Sequence, residues 1–513
     1  MFRGSYRNFP MQQAIERAGY SWLIDALDLR CLPLDRECVI GSRPALSQST
    51  AGAKIEVFTK GYAREHRPVD QMLFALSYEG VNIGVLERAF QIPAVRNDLA
   101  AAILEKPASG YLRRLWYICE HIAGHLLPLP DAAQNIPYEH LLPPEKYFTG
   151  PEDMSRRHRV RMNLLGTPEL SALITRQGWA DDSLLNAQIV ERMHDQMVDF
   201  SVTEIARAAQ YLLTTETRSS YEIEHERPAP DRILRFVRVL ELAGQRALDE
   251  EFLFDVHRIA LASGRPDPSI GAYRYMQNWL GCGDLIQLIP SAPEKVPEMM
   301  EEWFLMRERV MRSDAPALVK LNAIAHSFIY IHPFMDGNGR LSRFIMQDIL
   351  ANEGIRLQGI IMPISAGLLV NLDTYIGALD ALSRRILSAT HFHRRDLASD
   401  PQLDEAHNHL FAHLDFTDLQ FEVNKSAARV LDGLMRDEVD HLVRRDRFKE
   451  QMNRELDLSN QDLELLIAVI YENSGRVSKR KRTGLFQHLT DEDIALAESI
   501  YADLHAPGAT ESE

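Results

Sequence analysis

The sequence predicts an all-α protein: a helical core interrupted by a short β-hairpin and flanked on both sides by further helical blocks. Three observations carry this. Apolar residues recur at three- and four-residue spacing through most of the chain, strand-like stretches are few and short, and 513 residues leave room for about three domains of roughly 150 residues each. The spacing marks helices over Ser183 to about Leu213, Asp231–Ala243, Phe252–Ala262, Glu294–Arg312, Ala315–Tyr330, Leu341–Asn352 and Gly367–Leu387. Thr417–Val443, Gln461–Tyr471 and Asp491–Leu504 continue the pattern. The strand candidates are Ala53–Phe58 and a pair around Gln277–Ile289, turned at Gly281-Cys282-Gly283. Loop-rich stretches at 128–182, with seven prolines, and at 392–406 mark boundaries. The expected units are an N-terminal, mostly helical extension (1–182), a central domain (183–392) and a C-terminal helical domain (393–513).

Composition narrows the class. Hydrophobic residues at 45% and charged residues at 25% exclude an extended disordered chain. The 57 Lys+Arg against 73 Asp+Glu give a formal charge of −16, which argues against a nucleic-acid partner, since counterion release needs clustered cations. Cys31, Cys38, Cys119 and Cys282 form no Cys-x-x-Cys pair, so neither a disulfide framework nor a zinc ribbon is expected. With no apolar leader and no run approaching 18 apolar residues, a cytoplasmic location without membrane contact is expected.

One segment stands apart: Ile331-His332-Pro333-Phe334-Met335-Asp336-Gly337-Asn338-Gly339-Arg340-Leu341-Ser342-Arg343. Leu318, Leu321, Ile324, Ala325, Phe328 and Ile329 upstream, and Leu341, Phe344, Ile345 and Ile349 downstream, each form one face of a helix. Pro333 disfavours helical geometry at His332, so the order is helix, tight loop, helix. Two glycines let successive N–H groups turn into one concavity, and the second helix adds its N-terminal donors, which together make a phosphate cradle. Arg340 and Arg343 share a helix face and can clamp phosphate oxygens. Asp336 offers hard oxygen ligands suited to Mg²⁺ beside those phosphates. His332 is the one side chain here suited to proton abstraction near neutral pH.

This segment resembles the signature of the Fic family, His-Pro-Phe-x-(Asp/Glu)-Gly-Asn-Gly-Arg-x-x-Arg, at every fixed position from His332 to Arg343. The resemblance implies a helical Fic fold spanning the central domain and AMP transfer from ATP to a Ser, Thr or Tyr hydroxyl of a protein substrate, with self-modification included. It implies His332 as general base and Asp336 as Mg²⁺ ligand. Gly337, Asn338 and Gly339 would form the anion hole at the α-phosphate, and Arg340 and Arg343 would hold the outer phosphates. Phosphotransferase members with a similar loop carry Lys where this chain has Gly339, so adenylylation is favoured.

Two upstream elements extend the resemblance. Ser220-Tyr221-Glu222-Ile223-Glu224-His225 is similar to the family's inhibitory motif, (Ser/Thr)-x-x-x-Glu-(Gly/Asn), with Ser220 and Glu224 in the key places and His225 at the departing one. Glu224 would pair with Arg343 in the place of the γ-phosphate, a charge-assisted bond worth about 1.5–3 kcal/mol. Gln277, Asn278 and Trp279 fit the family's hairpin flap, which lays the target segment along the site by strand pairing. The same site run in reverse would remove AMP from a modified protein. A reading from another class is a helical regulator that binds nucleic acid through Lys479-Arg480-Lys481-Arg482 and keeps a vestigial nucleotide site. His391, His393, His407, His409 and His413 read as chance enrichment on a solvated surface, and His194-Asp195 lacks the further ligands a metal phosphohydrolase needs. The flanking blocks leave homo-oligomer formation open.

Overall fold

Three large sets of buried apolar side chains organise the helices: one running from Tyr20 to Leu173, one from Phe148 to Val439, and a third from Phe448 to Ile500. The computed structural model describes residues 16–48, 54–179, 182–262, 267–282, 285–395, 399–456 and 458–506. Ala53 and the flap tip at Gly283 lie outside these. The class is all-α with short strands, and among the described residues no helix is long and apolar enough to cross a membrane.

The second set of side chains surrounds Ala317–Ile331, a helix that buries every residue except Ile329. A helix apolar on all sides belongs in the centre of a core. Its polar members find partners: His326 Nδ1 bonds Asn322, and Lys320 Nζ reaches Glu353 at 2.8 Å. Asn338–Asn352 packs beside it, and the chain between them forms the loop predicted from Pro333 and the glycines.

The stretch expected as one helix from Ser183 to Leu213 is two, Asn186–Met197 and Val202–Ile223. Ser201 and Glu204 form a reciprocal capping box that starts the second helix afresh. Glu216 ties that helix to the core. Its buried carboxylate accepts from Gln347 Nε2 (2.9 Å), Ser365 Oγ (2.7 Å) and the Ser365 N–H (2.9 Å). Three donors offset much of the cost of burying it. Glu224, two helical turns further on, is the C-cap.

The N-terminal block adds a four-stranded sheet to its helices, ordered Glu16–Ala18, Arg36–Gly41, Lys54–Thr59, Ala45–Gln48. Strands of three to six residues are too short to show a clear alternation, which is why the sequence signalled only the third. The proline-rich stretch also carries strands. Ser171–Leu173 pairs in parallel with His413–Asp415, joining two parts of the chain that the boundary expectations keep apart.

Candidate functional site

The loop between the two central helices is built by its own polar side chains. His332 caps the first helix at φ 52, ψ 59, a left-handed conformation uncommon for a residue with a Cβ. Gly337 caps the second at φ 81, where a side chain would also press on Leu261. Between them, Asn338 closes the turn: its Oδ1 accepts from the Phe334 N–H at 3.0 Å and its Nδ2 donates to Phe334 O at 2.8 Å. Asn338 therefore spends its side chain on the loop and can face an anion only through its backbone. No side chain caps the helix Asn338–Asn352, so the N–H groups of its first turn are left to whatever binds there.

His332 Nδ1 donates to Ile329 O at 3.3 Å, which leaves the lone pair on Nε2. Burial, and then the charge of Arg274, push the imidazole down to about 4, so it is neutral at physiological pH. Asp336 lies at the exposed rim. One of its oxygens accepts from the Gly337 N–H (2.6 Å) and from Arg340 Nη2 (3.1 Å). Among the described residues no group of three or more acidic, histidine or cysteine side chains could hold a metal alone. A single exposed carboxylate suits Mg²⁺ that arrives already bound to phosphates.

Arg340 is fully buried and faces three carboxylates: Asp336 at 3.1 Å, Glu224 at 3.5 Å and Glu226 at 3.9 Å. Arg343 Nη1 donates to Gly339 O at 2.7 Å and lies 3.9 Å from Glu224. The structure thus brings Glu224 nearer to Arg340 than to Arg343, the partner expected. Neither contact is a hydrogen bond. Arg340 Nε and Nη1, Arg343 Nε and Glu224 Oε1 are all buried without a hydrogen-bond partner among the described residues. Burial raises the Glu224 carboxyl above its ordinary range despite both arginines. The carboxylate also sits on the helix start: a Cβ at Gly339 would fall 1.9 Å from Glu224 Oε1. Ser220 is buried one turn earlier, and its Oγ has no hydrogen-bond partner. Beside Asp336 and Arg340 opens a cavity of about 390 Å³, lined also by Arg232 and Arg235. The other main clefts, near residues 31–36 and 382–418, contain none of these residues.

The hairpin pairs Leu280–Cys282 with Leu285–Leu288 in antiparallel register, with a bulge at Leu280/Gly281. Gln277, Asn278 and Trp279 precede it and are not part of its ladder. Gln277 Nε2 donates to Pro290 O (3.0 Å), and Asn278 Nδ2 lies 3.4 Å from Phe334 O. Trp279 Nε1 donates to Asp400 Oδ1 (3.2 Å) beneath the Arg394 guanidinium.

Sequence reading missed two residues that bind the loop. His257 donates from Nε2 to Asp336 O (3.1 Å), accepts the Gly271 N–H at Nδ1 (2.8 Å) and lies tilted against Phe334, ring centroids 4.0 Å apart. Arg274 donates from Nε to His332 O (2.8 Å). Arg274 is a lone charge in the stretch 271–276, a signal that could have marked it; His257, between Asp255 and Arg258 on an amphipathic helix, carried none. The five C-terminal histidines do not form one surface cluster. His407 is buried against Ile289 O, His413 bonds Ser171 Oγ, and His393 pairs with Asp404. Lys481 and Arg482 of the basic run pair with Glu472, Asp491 and Glu498, as on a solvated helix end.

A neutral imidazole, an uncapped helix start and two buried arginines beneath a carboxylate lie together on a helical scaffold, an arrangement chemically able to take up a polyanion. Residues 247–350 match the Fic/DOC family. The chain is 26% identical over 125 residues to a protein adenylyltransferase Fic of Nematostella vectensis, covering 24% of this chain and 28% of that protein. It is 32% identical over 130 residues to protein adenylyltransferase fic-1 of Caenorhabditis briggsae, covering 24% of each. The aligned stretch thus spans about a quarter of these relatives. A solved structure of a Fic domain containing signaling protein from Bacteroides thetaiotaomicron is 15% identical, with a TM-score of 0.36 over 50% of this chain and 98% of that one.

Proposed function

We propose that this protein transfers AMP from ATP to a hydroxyl side chain of a protein substrate, itself included, and that Glu224 holds the site in check. The observation that carries the reading is the set of unused donors on Arg340 and Arg343, buried beneath a carboxylate where phosphate oxygens would satisfy them. In the reaction, His332 Nε2 takes the proton of the target hydroxyl while its oxygen attacks the α-phosphorus. The bond from that phosphorus to the β-phosphate bridging oxygen breaks, and pyrophosphate leaves. Backbone N–H groups at Gly337–Gly339 stabilise charge developing on the α-phosphate, and Arg340 and Arg343 hold the leaving phosphates. Asp336 would hold Mg²⁺, which neutralises phosphate charge when bound. An imidazole near 4 is a weak base in the free protein, but the negative charge of the arriving triphosphate raises its basicity when the proton must move. Gln277–Trp279 would position the target segment at the hairpin. The protein acts as a cytoplasmic enzyme in this reading, with the central block 183–392 as its catalytic unit. Incubation with ATP and Mg²⁺ followed by mass spectrometry tests it: AMP added to this protein or to lysate proteins, and lost in His332→Ala, is expected. No adduct in the Glu224→Gly variant would refute it.

A further inference from the structure

Arg274 is a buried cation that no carboxylate among the described residues bonds. It is 2% exposed, and its partners are carbonyls and a hydroxyl. Nε donates to His332 O (2.8 Å), the backbone N–H to Pro333 O (2.8 Å), and Nη2 to Ser291 O and Oγ, while Nη1 has no partner. Burying a charge this way is costly, and the cost shows: burial pushes the guanidinium down to about 10, with Glu294 the one acid acting against it through space. Fixing a carbonyl alone would not require a charge, since a neutral amide could donate as well.

The residue it grips is strained. A left-handed His332 costs on the order of 1–3 kcal/mol and persists only where its surroundings hold it. The two Arg274 bonds fall on the carbonyl of the strained residue itself and on the next one along the chain, that of Pro333.

We propose that Arg274 is a positioning residue for the base: it holds His332 in the left-handed turn and places a positive charge behind the imidazole, so that Nε2 keeps its lone pair for the incoming hydroxyl. The inference rests on reading His332 as the base. Four influences act on that imidazole. Burial and Arg274 disfavour its protonation, whereas the Ile329 carbonyl and Asp336 favour it. A carboxylate in Arg274's place would favour the imidazolium and compete for the proton.

The test is NMR of the histidine ring signals in the full chain, with His332 assigned by its loss in His332→Asn. In the wild-type protein His332 stays neutral, with the proton on Nδ1, to pH 5.5, where less than about a tenth is protonated. Arg274→Gln, which keeps donors but no charge, is expected to raise the titration by about one unit, so that about a quarter is protonated at pH 5.5. Arg274→Lys keeps the charge but not the planar fork, and is expected to leave the titration in place. In the Glu224→Gly background, the acid limb of AMP transfer moves up with Arg274→Gln alone, while both variants slow turnover. An unmoved His332 titration in folded Arg274→Gln overturns the inference. If that variant does not fold, wild-type His332 titrating at or above its ordinary 6.5 overturns it without any substitution. A chain that transfers no AMP but whose titration responds as stated loses the function and keeps the charge effect. One that transfers AMP with an unmoved titration loses this inference alone.

Discussion

Replacing Glu224 with glycine should release the site, and the structure sets how much release to expect. The carboxylate lies 3.5 Å from Arg340 Nε and 3.9 Å from Arg343 Nη1, without a hydrogen bond to either. A unit-charge pair at about 4 Å attracts by about 4 kcal/mol at an effective dielectric near 20. Two such attractions are opposed by burial of the carboxylate, costing several kcal/mol, and by repulsion from Glu226 and Asp336. The balance is visible in the carboxyl itself, which burial holds above its ordinary range although two arginines pull the other way. The net hold is therefore a small difference, about 1–3 kcal/mol, or roughly 5- to 150-fold in occupancy. Labelling with α-³²P-ATP should rise by that factor in Glu224→Gly and by less in Glu224→Gln, which keeps the shape and loses the charge. Glu224→Gly with His332→Ala should be silent. Equal labelling of wild type and Glu224→Gly, when calorimetry shows that both bind ATP, would refute the brake.

Three further outcomes follow from the same geometry. His332→Asn, which suits the left-handed turn, should keep the melting temperature and lower AMP transfer by about 10²–10⁴-fold; a drop under tenfold would remove His332 as base. Gly339→Ala puts a methyl where phosphates approach, 1.9 Å from the present Glu224 Oε1. It should weaken ATP binding at least about tenfold even in the Glu224→Gly background, measured by calorimetry. Burial holds His158, His257 and His326 down at about 4. Their folded values lie below the ordinary unfolded value near 6.5, so the unfolded chain binds more protons between these limits. Stability is complete above about pH 6.5 and falls toward pH 4, by up to about 3 kcal/mol per histidine. Urea midpoints at pH 7, 5.5 and 4.5 should decline accordingly, and less steeply in His326→Gln; a flat series would contradict the sign.

What was legible divides along physical lines. The loop from His332 to Arg343 could be read because glycine, proline and charge at fixed spacing between two apolar-periodic helices leave few foldable alternatives. Helix interiors were legible for the same reason. The break at Ser201 was not, because a capping box lies within a continuing apolar period and only its hydrogen bonds reveal it. The short N-terminal strands and the pairing of Ser171–Leu173 with His413–Asp415 depend on partners distant in sequence, which local pattern cannot supply. Asn338 shows a finer limit. Its place in the loop was evident, but its side chain closes the turn on Phe334 and only its backbone remains for an anion. Arg274 and His257 were invisible as site residues because each acts on a loop carbonyl from about sixty or eighty positions away.

The crowding of acids around Arg340 raises a final question, namely what keeps a second carboxylate from taking over when Glu224 leaves. Glu226 is the obvious substitute, since its Oε1 already lies 3.9 Å from Arg340 Nη2. Its other oxygen accepts from Arg232 Nη2 at 2.7 Å, a true hydrogen bond that draws the carboxylate toward the helix Pro230–Glu241. Arg232 thus decides whether two acids or one can cover the arginines. In a chain of formal charge −16, that restraint matters for the proposed reaction, whose triphosphate brings about four negative charges to a site with few cations. Removing it should let Glu226 move onto Arg340 once Glu224 is gone. Glu224→Gly with Arg232→Ala is therefore expected to label severalfold less than Glu224→Gly alone, and adding Glu226→Gln should restore the labelling. If the double variant labels as strongly as Glu224→Gly, Glu226 has no such reach; if the triple variant stays dim, Arg232 serves the nucleotide directly from the lining of the cavity.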